Sequence, residues 1–564
     1  MLSIQKIGVI GRTYRNFNRY RQILSVFVKY GFGDLLNLLK IEQYIEAGLQ
    51  IITRHRRERV ERLTRAERVR IAFEELGPTF IKLGQIISTR PDLIPAEFIE
   101  ELSKLQDKVP PFPYTQVRQI IKEELGKNPE ELFESFDENP LASASIGQVH
   151  RATLNGNEKV VVKVQRPDIR KIIEVDLEIM LHLATLMEKN IEEAALYRPV
   201  KIVEEFARTL EKEIDYTIEA SNMELFGRLF SKDPTVYIPK VYRDTTTISV
   251  ITMEYIEGIK VSEIEKLKEA GLDPKIITIR GTNLTLRQVF HYGFFHADPH
   301  PGNFFVLPDN VIGLIDFGMV GVVDRKTREI FVDLLDSVVH KNAEMAADAL
   351  LKLTTWDKEP DIHFLETELA NFMTKHLYKP LRDVEVGKLM QNMIELISRH
   401  RLMIPPDIYL MIKALGTVEG VAKKLDPDFN MVGQVSPFLA QVKIARLYPQ
   451  RIISDLIDFA GEMRSFFNQI PKDLLDISRL LKQGRLSIRF EQQGLETMLA
   501  AQHQISNRLS FSIIIAALLI GSALIVISDT PPLVYGISLL GIIGFLAAAV
   551  MGIWLLVAIV RKGL

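Results

Sequence analysis

Cysteine is absent from all 564 residues. That removes a disulfide framework, a thiolate nucleophile and any cysteine-bound zinc centre, and it fits a reducing compartment. No glycine fingerprint for a dinucleotide opens a strand–helix turn, which leaves a flavin or nicotinamide enzyme unsupported. Internal repeats and low-complexity stretches are missing too. A strong charge of either sign is also lacking: 70 Lys and Arg balance 72 Asp and Glu, a net of −2. That net charge itself says nothing about nucleic acid, and no nucleic-acid partner is expected. What remains, 47% hydrophobic and 25% charged residues, reads as a globular chain long enough for several domains.

Charge is also missing locally. Residues 511–527 and 533–560 contain no charged side chain, and Asp529, Pro531 and Pro532 lie between them. A bilayer needs about 20 apolar residues per helix, so the two runs are expected to form a transmembrane hairpin over 510–560. Arg508 precedes it, Arg561 and Lys562 follow it, and the intervening loop carries only Asp529. By the positive-inside tendency, both ends face the cytoplasm. Residues 1–70 hold the opposite bias, fifteen Lys and Arg against six Asp and Glu. Aromatics interleaved with cations there suit either an anionic membrane surface or a solvated helical face.

The middle of the chain changes period. Two β-prone runs, 145–154 and 159–164, flank Asn155-Gly156-Asn157, a hairpin signal. Helical patterns are expected at 168–190 and 199–230, and further strand at 236–242 and 247–254. From about 260 to 500 the pattern is mainly helical, broken near 296–318. A small β-rich lobe thus precedes a larger helical one.

Motifs fall at telling places in these lobes. In the segment 296–303, Asp298 is followed five residues later by Asn303, and Asp316-Phe317-Gly318 comes thirteen residues after that. An Asp that orients a hydroxyl, an Asn oxygen and a strand-end carboxylate together suit phosphoryl transfer with Mg²⁺. A competing reading groups His296, Asp298 and His300 as a zinc or iron site, but it leaves Asn303 and Asp316 without a role. Upstream, Lys163 ends the run Val160-Val161-Val162 and is placed to hold phosphates. Its expected helical partner is Glu219, with Glu204, Glu205 and Glu211 as competitors. The hinge is expected at Met253, Glu254 and Ile256. Where a glycine loop would normally cover the phosphates, the chain has Ala142-Ser143-Ala144-Ser145 before Val149. Alanine cannot freely take glycine's conformations, so this loop must treat the nucleotide differently. The fold class expected is α+β: two protein-kinase-like lobes with a helical N-terminal extension and a C-terminal membrane hairpin.

The alanine/serine loop, Lys82-Leu83-Gly84-Gln85, Glu213-Ile214-Asp215, the 296–303 segment and Asp316-Phe317-Gly318 together resemble the UbiB/AarF family of atypical kinase-like proteins. The resemblance covers roughly residues 70–430, and the C-terminal hairpin resembles bacterial members. It implies that Lys82, Gly84 and Gln85 belong to an extension lying over the active site, with Lys82 paired to Glu213 or Asp215. It implies ATP or ADP with Mg²⁺ as cofactors, and ATPase activity in place of broad protein phosphorylation. It further implies a role in ubiquinone-type biosynthesis, with membrane lipids and quinone precursors or quinone-biosynthesis proteins as partners, at the cytoplasmic side of the inner membrane. A nucleotide-binding scaffold and a conventional protein kinase are the alternatives. The domains expected are a basic helical region (1–75), the extension (76–135), N-lobe (136–257), C-lobe (258–430), a helical connection (431–509) and the hairpin.

Overall fold

The computed structural model describes residues 17–39, 63–88, 94–105, 110–191, 194, 198–356, 359–376, 385–446, 448, 461, 463–464, 495–528, 531–534 and 537–561. The expected basic segments 1–16 and 40–62, and most of the connection over 449–494, lie outside the described residues. The chain divides into two units, residues 1–453 and 454–564.

The helices that come first include α1 (Phe17–Lys29), α2 (Arg65–Leu76), α3 (Pro78–Ile87), α4 (Ala96–Leu102) and α5 (Tyr114–Leu125). The strands over residues 133–254 are β1 (Phe133–Phe136), β2 (Ala142–Ser143), β3 (Gly147–Leu154), β4 (Glu158–Gln165), β5 (Val236–Tyr237) and β6 (Val250–Glu254). All but β5 form one antiparallel sheet in the order β1-β3-β4-β6, with β2 on β3. The expected hairpin joins β3 to β4, and Gly156 and Asn157 take positive φ in its three-residue loop. Alternation along β4 decides the lobe's two faces. Val160, Val162 and Val164 are fully buried with Val117 and Ile121 of α5, so Lys163 must point to the opposite face.

Between β4 and β5 run α6 (Ile169–Asn190), α7 (Pro199–Glu213) and α8 (Tyr216–Phe230). The helical pattern expected over 199–230 is therefore two helices. The break is local: Asp215 is extended and caps α8 by accepting from the Thr217 N–H at 3.0 Å, while the Tyr216 N–H turns to the Ile248 carbonyl. The strand expected at 236–242 shortens to β5, with only an isolated bridge at Val241.

The large lobe carries a second sheet of order β5-β10-β9-β7, from β7 (Ile259–Lys260), β9 (Phe304–Leu307) and β10 (Val311–Leu314), beside the pair β8 (Phe294–His296) and β11 (Val320–Val322). Helix α9 (Pro274–Leu286) lies among these strands in the chain, and α10 (Arg325–Val339), α11 (Ala343–Leu353), α12 (Ile362–His376), α13 (Val386–Arg399), α14 (Pro406–Leu425) and α15 (Met431–Ala445) follow. Their core includes Phe295, Phe331, Leu350, Leu369, Met393 and Leu415.

The second unit holds two long apolar helices, α16 (Leu495–Ile527) and α17 (Leu539–Arg561). Ser506–Ile527 and Leu539–Leu556 are long and apolar enough to cross a membrane, with only 6% and 11% of their residues buried. Such exposure is the reverse of a soluble core helix. The helices approach closely at small residues: a Cβ on Gly544 would fall on the Ser522 side chain, and one on Gly541 on Val526. The second apolar run does not form one helix from Leu533. Leu533–Val534 and Ile537–Ser538 pair as a short hairpin after two prolines, and the helix begins at Leu539.

Candidate functional site

Lys163 and Glu219 meet as expected. The Lys163 Nζ lies 2.9 and 3.1 Å from the two carboxylate oxygens of Glu219, whose side chain is 4% exposed. Burial by itself would lower the lysine, but Asp316 and Glu219 facing it outweigh that and hold it protonated. Burial pushes Glu219 upward while the lysine opposes this. The bidentate contact supports the ion pair as the resting form. Beneath Nζ lies the Tyr216 ring, 5.0 Å to its centroid.

Helix α8 also touches the second motif. Asn222 Nδ2 donates to the Phe317 carbonyl at 3.0 Å, and Phe317 is fully buried against Phe226 and His296. With Phe317 locked inward, Asp316 takes a left-handed φ of 61° and opens to the cleft. Lys163 beside it, then His296, the Gly318 N–H and Lys82, hold its carboxyl below the ordinary aspartate range. Solvent screens these charges at the cleft mouth, so they act on placement more than on stability.

The catalytic-loop candidates are fixed by backbone contacts. His296 Nδ1 accepts from the Asp298 N–H at 3.2 Å, which leaves Nε2–H facing the Ile315 carbonyl at 3.4 Å. His296 is thus a loop anchor, and His300 Nδ1 accepts from the Gly302 N–H. Asn303 Nδ2 donates to the Asp298 carbonyl at 3.2 Å, and the Ile315 N–H to that of Asn303 at 3.0 Å. These bonds tie Asp298, Asn303 and Asp316 into one frame. The Asn303 amide oxygen and the Asp316 carboxylate form a hard-oxygen set suited to a small divalent cation.

The loop over 142–145 is closed by hydrogen bonds of its own. The Ala144 N–H donates to the Gly147 carbonyl, while Arg166 donates to the Ala144 carbonyl and Ser143 Oγ at 3.0 Å and to the Pro110 carbonyl at 2.9 Å. Ser145 is buried, and Val149 pairs with Lys163 across β3 and β4. Gly147 needs its missing side chain, because a Cβ would sit 2.5 Å from both Tyr216 Oη and the Val164 carbonyl. At the hinge, Met253 is buried and the N–H groups of Glu254 and Tyr255 bond to the Lys240 and Lys159 carbonyls. The Ile256 N–H makes no backbone bond among the described residues.

The extension reaches the same cleft. Lys82 on α3 forms an ion pair with Glu213; Asp215 instead caps α8. Gly84 lets α3 press on its neighbours, since a Cβ would lie 2.3 Å from Leu105 Cδ1. Gln85 Nε2 donates to the Leu105 carbonyl at 3.2 Å and ties α3 to the segment after α4. Arg19 of α1 anchors the assembly on α6 through the fully buried Asp176, at 2.7 and 2.9 Å.

Two side chains at the site carry no sequence signal. Arg166, which clasps the alanine loop, follows the lysine strand with nothing to mark it. Lys413 of α14 brings its Nζ to 3.5 Å from Asp298 Oδ1, a contact across more than a hundred residues of chain.

Comparison with known proteins follows this geometry. The chain matches the ABC1 atypical kinase-like domain over residues 104–350, the UbiB helical domain over 369–430 and the ABC1/UbiB kinase-like C-terminal domain over 493–561. A probable protein kinase UbiB of Marinobacter nauticus is 34% identical, covering 86% of this chain and 89% of its own. The chain belongs to the ABC1/UbiB family of atypical kinase-like proteins. Its UbiB similarity extends to Cellvibrio japonicus, at 32% identity over 84% of this chain and 86% of the relative. The protein of the hydrogenase 1 5′ region of Clostridium pasteurianum is 29% identical over 97% of this chain and 99% of its own. Among solved structures, the Rv3197–erythromycin complex from Mycobacterium tuberculosis covers 61% of this chain and 87% of its own, at 26% identity and a TM-score of 0.45. Kinase-like lobes with α+β architecture and two apolar C-terminal helices are thus common ground between sequence and structure. The helical-domain match also contains Lys413.

Proposed function

We propose that this chain is a membrane-anchored, kinase-like ATPase that binds Mg-ATP and supports isoprenoid-quinone biosynthesis of the ubiquinone type. The carrying observation is the convergence of Lys163, Glu219 and Asp316 on one cleft, with Asp298 and Asn303 tied into the same frame. Relatives named probable protein kinase UbiB support the enzyme class and the pathway.

In this reading, the Glu219-held ammonium of Lys163 binds the α/β-phosphates, and the loop of Ala142, Ser143, Ala144 and Ser145 covers them. Adenine meets the backbone of the segment from Met253 through Glu254 to Ile256. Asn303 and Asp316 hold Mg²⁺, which when bound neutralises charge on the phosphates. Asp298 orients the attacking water or hydroxyl. Lys82, within the electrostatic reach of Asp316, places α3 where a bulky acceptor would have to enter, so a small or lipid-soluble acceptor fits better than a protein. The hairpin over 510–560 anchors the chain in the inner membrane with the kinase-like region cytoplasmic, next to quinone precursors. That crowding by α3 also favours a second reading, a nucleotide-binding scaffold without turnover.

The test is phosphate release by the full-length protein in detergent with added lipid. Wild type should turn over ATP only with Mg²⁺, and Asp316→Asn should lose at least about 10²-fold. Undiminished turnover in Asp316→Asn would sink the reading, whereas tight Mg-ATP binding with no phosphate release selects the scaffold.

A further inference from the structure

The segment 296–303 contains no lysine or arginine, although phosphoryl transfer spreads negative charge over the oxygens of the transferring group. Among the described residues, the cation that pairs with Asp298 comes from elsewhere in the fold. Lys413 lies on α14, and its Nζ is 3.5 Å from Asp298 Oδ1. The neighbouring turns, with Tyr409, Leu410, Gly416 and Thr417, offer it no carboxylate. Lys413 and Asp298 are 31% and 43% exposed, so both open to the cleft. An accessible pair at that distance contributes little to stability.

Helix α14 is held rigidly where it presents this lysine. Glu419, 4% exposed, accepts the N–H groups of Val386 and Gly387 at the start of α13, at 3.0 and 2.6 Å. Gly387 and Gly416 bring the two helices into backbone contact, since a Cβ on Gly387 would lie 2.9 Å from the Gly416 Cα. Met411 and Ala414, on either side of Lys413, are fully buried. A partly exposed ammonium on a packed helix, beside the proposed catalytic carboxylate, is the arrangement of a cation supplied in cis to a transferring phosphoryl group.

We propose that Lys413 is a further catalytic residue, whose ammonium leaves Asp298 for the γ-phosphoryl group when nucleotide binds. This rests on the Mg-ATP reading above. As the attacking oxygen bonds to the γ-phosphorus, the bond from that phosphorus to the β–γ bridging oxygen breaks and ADP leaves. The nucleophile's proton passes to Asp298 and then to the released phosphate or solvent. Lys413 neutralises the equatorial oxygens throughout and transfers no proton. The UbiB helical domain thereby completes the active site.

The experiment compares full-length wild type, Lys413→Met, Lys413→Arg and a control on the same helix, Lys423→Met, whose lysine pairs with Glu419 of α14 and with Glu385 at the start of α13. Binding of Mg-ATP and Mg-ADP is measured alongside phosphate release and thermal unfolding. In Lys413→Met, kcat should fall by about 10²-fold or more. Its ATP affinity should weaken about tenfold and its ADP affinity by less than about twofold, because only ATP carries the contacted group. Lys413→Arg should recover much of the loss, and Lys423→Met should keep the wild-type preference. A Lys413→Met protein with wild-type kcat and ATP/ADP preference overturns the proposal, as does an equal loss of both affinities. Wild type that binds ATP without turnover still decides the matter through the affinity ratio. Failure of wild type to bind either nucleotide overturns the Mg-ATP reading itself, and Lys413's role with it.

Discussion

Removing the Lys163 side chain should unfold this protein partway before it reports on chemistry. In Lys163→Met, Glu219 keeps a carboxylate that is 4% exposed and loses the ammonium touching both its oxygens. Asp316 remains as a repelling charge. Breaking a buried pair at one end costs about 3–5 kcal/mol, about a fifth or more of the roughly 5–15 kcal/mol that holds a domain together. In Lys163→Met/Glu219→Gln the buried charge is gone, and the amide oxygen can still accept the Phe317 N–H that Glu219 holds. That double variant should lie only about 1–3 kcal/mol below wild type. The chain has two tryptophans, so Trp554→Phe leaves Trp356 alone to report the first unit during denaturant unfolding. The reasoning fails if Lys163→Met matches wild type within about 0.5 kcal/mol, or if the double variant is no more stable than the single.

Two further outcomes follow from local packing. His150 is fully buried, its Nδ1–H donating to the Asp137 carbonyl and its Nε2 facing Gln148 Nε2; Gln148 cannot flip without losing the Phe112 N–H. Burial holds this histidine below its ordinary range. Its stabilising contribution is therefore complete above the unfolded pKa of about 6.5. It is lost as pH falls from there towards the depressed folded value, by at most about 1.4 kcal/mol per pH unit. Melting curves from pH 8 to 5 should be flatter for His150→Gln than for wild type, and equal slopes would refute the assignment. Gly281 lies inside α9, where an added Cβ meets nothing within 4 Å, beside an apolar cavity of about 30 Å³. Gly281→Ala should stabilise by about 0.5–1 kcal/mol, read as a higher unfolding temperature, and a lower one would contradict the open space.

Much of the site was legible because its groups sit on local signals. Lys163 follows a β-branched run whose alternation fixes its face, and Asp298, Asn303 and Asp316 share one short stretch of chain whose spacing matches their chemistry. The hairpin at Asn155-Gly156-Asn157 and the two apolar runs were equally readable, since turn geometry and lipid-like composition need no long-range contact. Reading failed where a boundary depends on a competing hydrogen bond. The break at Asp215 is made by its own cap and by a carbonyl at Ile248, so a helix period running across it was misleading.

By itself the sequence determined the lobes, the candidate set of Lys163, Asp298, Asn303 and Asp316 and the membrane-length hairpin, because periodicity, spacing and composition are properties of neighbours along the chain. Only the tertiary structure decided which carboxylate Lys82 meets, that Gln85 bonds to the Leu105 carbonyl, that Arg166 clasps the alanine loop and that Lys413 stands beside Asp298. Each of these is a contact between residues far apart in sequence. Its geometry is set by how helices close on one another at Gly84, Gly387 and Gly416, where a single Cβ would hold them apart.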